Sequence, residues 1–131
     1  MTVGLLIITH EAVGRALLTT ATKIIGVCPV ATELLPVPMD SDCDELFECA
    51  CGMIERIDKG SGVIVLTDMF GGTPSNIANR LAEVHNVRVI SGVNLPMVVR
   101  ILNYANLDLD EVARKAQEGG RDGIFICGGE G

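Results

Sequence analysis

Residues 3–9 read Val3-Gly4-Leu5-Leu6-Ile7-Ile8-Thr9, and residues 62–67 read Gly62-Val63-Ile64-Val65-Leu66-Thr67. Neither run carries a charge, and neither alternates polar with apolar residues. Runs of this length that are apolar on both faces fit strands covered on both sides, as in a parallel sheet between two helix layers. His10 follows the first run directly and Asp68 closes the second.

Outward from these two runs, strand and helix patterns alternate. After His10, Val13, Ala16, Leu17, Ala21, Ile24 and Ile25 form a helical stripe, with Gly26 placed to cap it. Thr32–Val37 predicts a second strand, put at a sheet edge by Pro36. Asp42 and Glu45 form a capping-box pattern ahead of a helix with Leu46, Phe47, Ala50, Met53, Ile54 and Ile57 on one face, ended by Lys59–Gly62. Thr73 followed by Pro74 predicts an N-cap and first helical residue, for a helix reaching Val84. Val87–Ser91 predicts a fourth strand and Pro96 the start of another helix. Asp108 and Glu111 cap a last helix ending near Gly119. Gly123–Cys127 predicts a short fifth strand before a mobile GGEG tail. This alternation implies right-handed crossovers, hence a doubly wound α/β sheet with helices on both faces, in one domain spanning residues 1–131.

Composition narrows the function. The 131 residues are 48% hydrophobic but only 3% aromatic, so the core is aliphatic. Every apolar run falls short of the roughly 18 residues of a membrane span, and Val3 follows no basic segment of a secretory signal. A cytoplasmic protein is expected, with no direct membrane insertion. Ten basic residues against 17 acidic ones give a net charge of −7 without a basic stripe, which argues against a nucleic-acid platform. The five cysteines, Cys28, Cys43, Cys49, Cys51 and Cys127, include no C-x-x-C. They are read as small buried hydrophobes in a reducing compartment, with no metal site.

In open α/β sheets, ligands bind beyond the carboxyl ends of the strands, where the strand order reverses. With the order 2-1-3-4, the first and third strands meet at that point, and His10 faces Asp68. A carboxylate that accepts from one imidazole N–H fixes the tautomer and frees the other nitrogen as a nucleophile. Gly71-Gly72-Thr73-Pro74 opens a helix nearby, and glycines at a helix N-terminus make an anion cradle. Nucleophile, orienting carboxylate and cradle together suggest phosphoryl transfer through a phosphohistidine. Met39, Met69, Phe70 and Met97 lie in or beside the same loops and would form an apolar docking rim, or pack within the loops. His85, near a helix end, receives no role. A hydrolase is disfavoured because no G-x-S-x-G occurs, and a dinucleotide domain because no G-x-G-x-x-G follows the first strand.

Three segments carry a resemblance: Thr9-His10, Leu66–Asn76 (LTDMFGGTPSN) and Gly92–Met97 (GVNLPM). In this order and spacing they look like the mannose-family IIA component of the bacterial phosphoenolpyruvate-dependent sugar phosphotransferase system, over essentially the whole chain. The resemblance implies a flavodoxin-like fold with four parallel strands, order 2-1-3-4, and a fifth antiparallel strand often exchanged in a homodimer. It implies that His10 accepts a phosphoryl group from the phosphocarrier protein HPr and passes it to a IIB component for sugar uptake. Asp68 would orient His10, Gly71, Gly72 and Thr73 would receive the phosphoryl oxygens, and no cofactor or metal would be needed. Many members carry Ser where Thr73 stands, some a Trp near Phe70 and a bulky residue at Ser75, so the docking surface is expected to differ. The chain ends at Gly131 without an Ala/Pro-rich linker, which suggests either a separate IIB or an incomplete system in which the phosphorylation state acts on a regulatory target protein. The related dihydroxyacetone-kinase phosphotransfer subunit fits less well, since its loop after the third strand differs.

Overall fold

The computed structural model describes residues 1–129; Glu130 and Gly131, the end of the expected tail, lie outside them. Four strands, β1 (Gly4–His10), β2 (Thr32–Val37), β3 (Val63–Thr67) and β4 (Val87–Ser91), form one parallel sheet in the order β2-β1-β3-β4. Five helices accompany them: α1 (Val13–Ile25), α2 (Cys43–Ile57), α3 (Gly72–Val84), α4 (Leu95–Tyr104) and α5 (Leu109–Asp122). The α/β doubly wound fold is therefore as the sequence predicts. β2 is an edge strand, where Pro36 removes no interior ladder bond.

Period-two alternation in β1 and β3 divides the core. Leu5, Ile7, Ile64 and Leu66 join Ala21 of α1, Val98 and Ile101 of α4, and Val112 and Ala116 of α5. Leu6, Ile8, Val63 and Val65 face the opposite layer, with Ala50 and Ile54 of α2 and Ile77, Ala78 and Leu81 of α3. Each such aliphatic side chain contributes about 1.5–3 kcal/mol when fully buried. Two apolar faces explain why β1 and β3 read as unbroken apolar runs.

Capping follows the sequence at most helix ends. Asp42 Oδ1 accepts from the backbone N–H of Asp44 and of Glu45, and Asp108 Oδ1 accepts from that of Glu111. Gly26 takes φ 97° and its N–H donates to Thr22 O, closing α1.

Four expectations need correction. First, α5 does not stop near Gly119 but runs to Asp122. A Cβ on Gly119 would come within 2.8 Å of Arg100 Cβ, and one on Gly120 within 2.7 Å of Met97 Cε. These glycines let α4 and α5 approach closely rather than ending the helix. Second, α3 starts at Gly72 with Gly71 as N-cap, so Thr73 and Pro74 lie inside its first turn. Pro fits there because a first-turn N–H has no intrahelical acceptor. Third, Gly123–Cys127 forms no strand in this chain. Ile124, Phe125 and Ile126 are 73%, 73% and 93% exposed, and β4 keeps an open edge. Fourth, the cysteines are not a buried set: Cys49 and Cys127 are exposed and the other three half-buried. Positions two apart on a helix cannot share its inner face, so Cys49 and Cys51 differ in environment. Burial, with help from Glu55, pushes the Cys51 thiol pKa up.

Candidate functional site

The parallel register places the ends of β1 and β3 side by side, with Ile8 opposite Thr67; β3 ends there, while β1 continues beside β2 to His10, opposite Val37. His10 and Asp68 meet at this switch point. Asp68 Oδ2 accepts from the backbone N–H of His10 at 3.1 Å and lies 3.0 Å from His10 Nδ1. A carboxylate accepts and does not donate, so Nδ1 carries a proton, and in the neutral ring the lone pair is on Nε2. Asp68 Oδ1 is buried and accepts no hydrogen bond from any described residue. The carboxylate charge is thus left to act on the His10 ring. The two side chains are 34% and 16% exposed, so the ring is reachable from solvent while its partner is shielded.

The free nitrogen faces the start of α3. A Cβ on Gly72 would lie 3.6 Å from His10 Cε1 and 3.7 Å from His10 Nε2. Gly71 and Gly72 take φ 86° and 84°, which L side chains rarely adopt. No side chain caps α3, unlike α2, α4 and α5. Its first-turn N–H groups and the positive end of its dipole remain available to an anion beside Nε2.

Hydroxyls and amides brace the strand ends around this pair. Buried Thr9 accepts through Oγ1 from the Gly14 N–H at 2.8 Å, tying the start of α1 to β1. Thr67 donates its hydroxyl to Ser91 Oγ at 3.0 Å, linking the ends of β3 and β4. Asn94 Oδ1 accepts from Met97 N, and its Nδ2 donates to Gly120 O, joining the start of α4 to α5.

A family model described as the PTS system fructose IIA component, EIIA-man, matches residues 4–117. The chain belongs to this family. It is 33% identical over 127 residues to the PTS system mannose-specific EIIAB component of Escherichia coli, covering 95% of the chain and 39% of that protein. It thus spans about two-fifths of that relative's length. It is 29% identical over 116 residues to the transcriptional regulatory protein LevR of Bacillus subtilis, covering 84% of the chain and 12% of that protein. Among solved structures, the mannose/sorbose specific IIA subunit of Enterococcus faecalis superposes with a TM-score of 0.87 at 20% identity, covering 98% of this chain and 96% of that one. At that identity the likeness establishes the fold.

Within this EIIA-man chain, His10, Asp68, Gly71 and Gly72 converge, with Thr73 in the first turn of α3. Met39, Met69 and Phe70 are 79%, 57% and 82% exposed. Met97 does not belong with them. It is 4% exposed, on the inner face of α4, packed against Gly120 of α5. His85 caps the end of α3 through its backbone N–H to Leu81 O. The bracing roles of Thr9, Thr67 and Ser91 escaped the sequence reading. Their one signal was a hydroxyl residue at or beside the C-terminal end of a strand. Among the described residues no group of three or more His, Cys, Asp or Glu is arranged to hold a metal ion, and no helix is long and apolar enough to cross a membrane.

Proposed function

We propose that His10 Nε2 accepts a phosphoryl group from histidine-phosphorylated HPr and passes it to a IIB component, in support of sugar uptake. The observation that carries this reading is the orientation of Nε2 toward the uncapped, glycine-built start of α3, with Nδ1 held by Asp68. The Nε2 lone pair attacks phosphorus in line. The N–P bond of the donor breaks, and its electron pair returns to the HPr imidazole. Asp68 balances the positive charge that the His10 ring gains, while the N–H groups at Gly72 and Thr73 receive the phosphoryl oxygens. Onward transfer repeats the displacement, with a IIB side chain as nucleophile. Met39, Met69 and Phe70 form the apolar rim on which protein donors and acceptors dock. The reading puts the protein in the cytoplasm with HPr.

The test is incubation with phosphoenolpyruvate, enzyme I and HPr, followed by intact-mass analysis. The wild type gains one acid-labile phosphoryl group and His10→Ala gains none. No adduct on the wild type, with HPr shown to be phosphorylated, refutes the reading.

The similarity to LevR favours a second reading of the same chemistry, in which the phosphorylation state of His10 controls binding to a regulatory target. A phosphorylation-dependent complex formed without IIB would identify it.

We further infer a homodimer in which the Gly123–Cys127 segment of one copy adds antiparallel to β4 of another. Two features support this: the exposed apolar triplet Ile124-Phe125-Ile126, and a cavity of about 570 Å³ along the open β4 edge, lined by Val89, Ile90, Met97, Gln117 and Ile124 among others.

A further inference from the structure

α1 has no cap of its own. Its N-cap residue is Ala12, whose side chain cannot accept, whereas Asp42, Asn94 and Asp108 cap α2, α4 and α5. The acceptor comes from the strand instead: buried Thr9 Oγ1 takes the Gly14 N–H at 2.8 Å. The approach is close, since a Cβ on Gly14 would lie 3.2 Å from Thr9 Oγ1 and 2.7 Å from Ile7 Cγ2. A cap at residue 12 would serve the helix alone; a cap from Thr9 closes a turn with His10 inside it. Two further ties hold the same turn. The N–H of His10 donates to Asp68 Oδ2 and that of Glu11 to Val37 O. Glu11 takes φ 45° there, and every other described residue with positive φ is a glycine. In a residue with a Cβ such a backbone persists only where its surroundings hold it. The His10 ring, by contrast, has one hydrogen bond, from Nδ1 to Asp68. Its aim at the start of α3 therefore depends on where the turn sets the His10 backbone.

We propose that Thr9 is a positioning residue for phosphoryl transfer: its hydroxyl holds the turn from Thr9 to Gly14 closed and so keeps Nε2 of His10 aimed at the incoming phosphorus. This rests on the reading of His10 as phosphoryl acceptor. Successive side chains of a strand point to opposite faces. Thr9 faces α1 and touches none of the reacting atoms, so its effect passes through the backbone it shares with His10. In-line displacement needs near-attack geometry, and a misplacement of about 1 Å costs up to about 100-fold in rate. The transfer itself is unchanged: one N–P bond forms on His10, one breaks on HPr, and the freed electron pair stays on the HPr ring.

The experiment compares the full chain as wild type, Thr9→Ser and Thr9→Ala, in rapid-quench transfer from phospho-HPr and in a long-range proton–nitrogen spectrum of the unphosphorylated protein. Both variants lose the methyl group, and they differ from each other by the hydroxyl alone. Thr9→Ala lowers kcat by about 10- to 100-fold with KM for phospho-HPr unchanged, because the docking rim is untouched. Its His10 ring also loses the single Nδ1-protonated form of the wild type. Thr9→Ser keeps that form and a kcat within about twofold of the wild type. A cap that served only the helix would lower Tm and move neither kcat nor the ring spectrum at temperatures where the variants are folded. The proposal is overturned by a wild-type kcat in Thr9→Ala, by a change in KM alone, or by a loss of about tenfold or more in Thr9→Ser, which decides by itself should Thr9→Ala not fold. A wild type that takes up no phosphoryl group from phospho-HPr is a different result: it removes the His10 reading, while the ring spectrum still tests the tie between Thr9 and His10.

Discussion

Asp68 and His10 are joined twice through one oxygen: Asp68 Oδ2 accepts from the His10 main chain at 3.1 Å and from its ring at 3.0 Å. The first bond fixes where β1 ends and the second fixes which way the imidazole faces. Because both reach the same atom, ring orientation is coupled to the backbone of the strand rather than left to a side-chain rotamer. The Cε1–Nε2 edge of the ring is then presented to Gly72, with no hydrogen bond to Nε2 among the described residues.

Replacing Asp68 by Asn removes the charge and keeps the shape. The loss of one charge-assisted bond, about 1.5–3 kcal/mol, corresponds to transfer to His10 slowed by about 10- to 150-fold. Circular dichroism should remain that of the wild type. A rapid-quench assay with phospho-HPr measures the rate, and a wild-type rate would remove Asp68 from the mechanism.

Gly72 is predicted to tolerate no side chain. Ala at φ 84° strains the backbone by about 1–3 kcal/mol, and its methyl group would occupy the space in front of His10 Nε2. Gly72→Ala should lower Tm and abolish phosphorylation together. Thr73→Ser, which retains the hydroxyl, should change neither by much.

The same substitution at two helical glycines should have opposite effects. Gly52 in α2 has only the far end of Arg56 near a Cβ position, at 3.7 Å, so Gly52→Ala should stabilise by about 0.5–1 kcal/mol. Gly119 in α5 faces Arg100 Cβ at 2.8 Å, and Gly119→Ala should destabilise by about 1–3 kcal/mol despite the better helix propensity. Urea unfolding of the two variants reads the signs directly.

A charge in the exposed triplet should oppose self-association. Phe125→Asp is predicted to give a monomer by sedimentation velocity at concentrations where the wild type is dimeric, with His10 still able to be phosphorylated. Equal sedimentation of the two proteins would exclude strand exchange through this segment.

These cases also mark what was legible in the sequence. β1 and β3 were plain because burial on both faces demands unbroken aliphatic runs, and His10 and Asp68 were plain because they end those runs. The start of α3 was misplaced by two residues because the Thr-Pro signal is local, whereas the left-handed pair Gly71-Gly72 is set by the turn out of β3. The glycines of α5 looked like a stop signal, since sequence does not reveal which helix lies against them. Chain position alone puts Met97 beside the rim, whereas its burial depends on which face of α4 lies against Gly120 of α5. The positive φ of Glu11, 45°, has no sequence signature, since the turn after His10 is tied to Asp68 Oδ2 and Val37 O, both distant in the chain.

The most direct measurement is a long-range proton–nitrogen NMR spectrum of the phosphorylated protein labelled with nitrogen-15 in its histidines. The account predicts phosphorus on Nε2 of His10, with Nδ1 still protonated toward Asp68 and His85 unmodified. Phosphorus on Nδ1 of His10, or on His85, would contradict it.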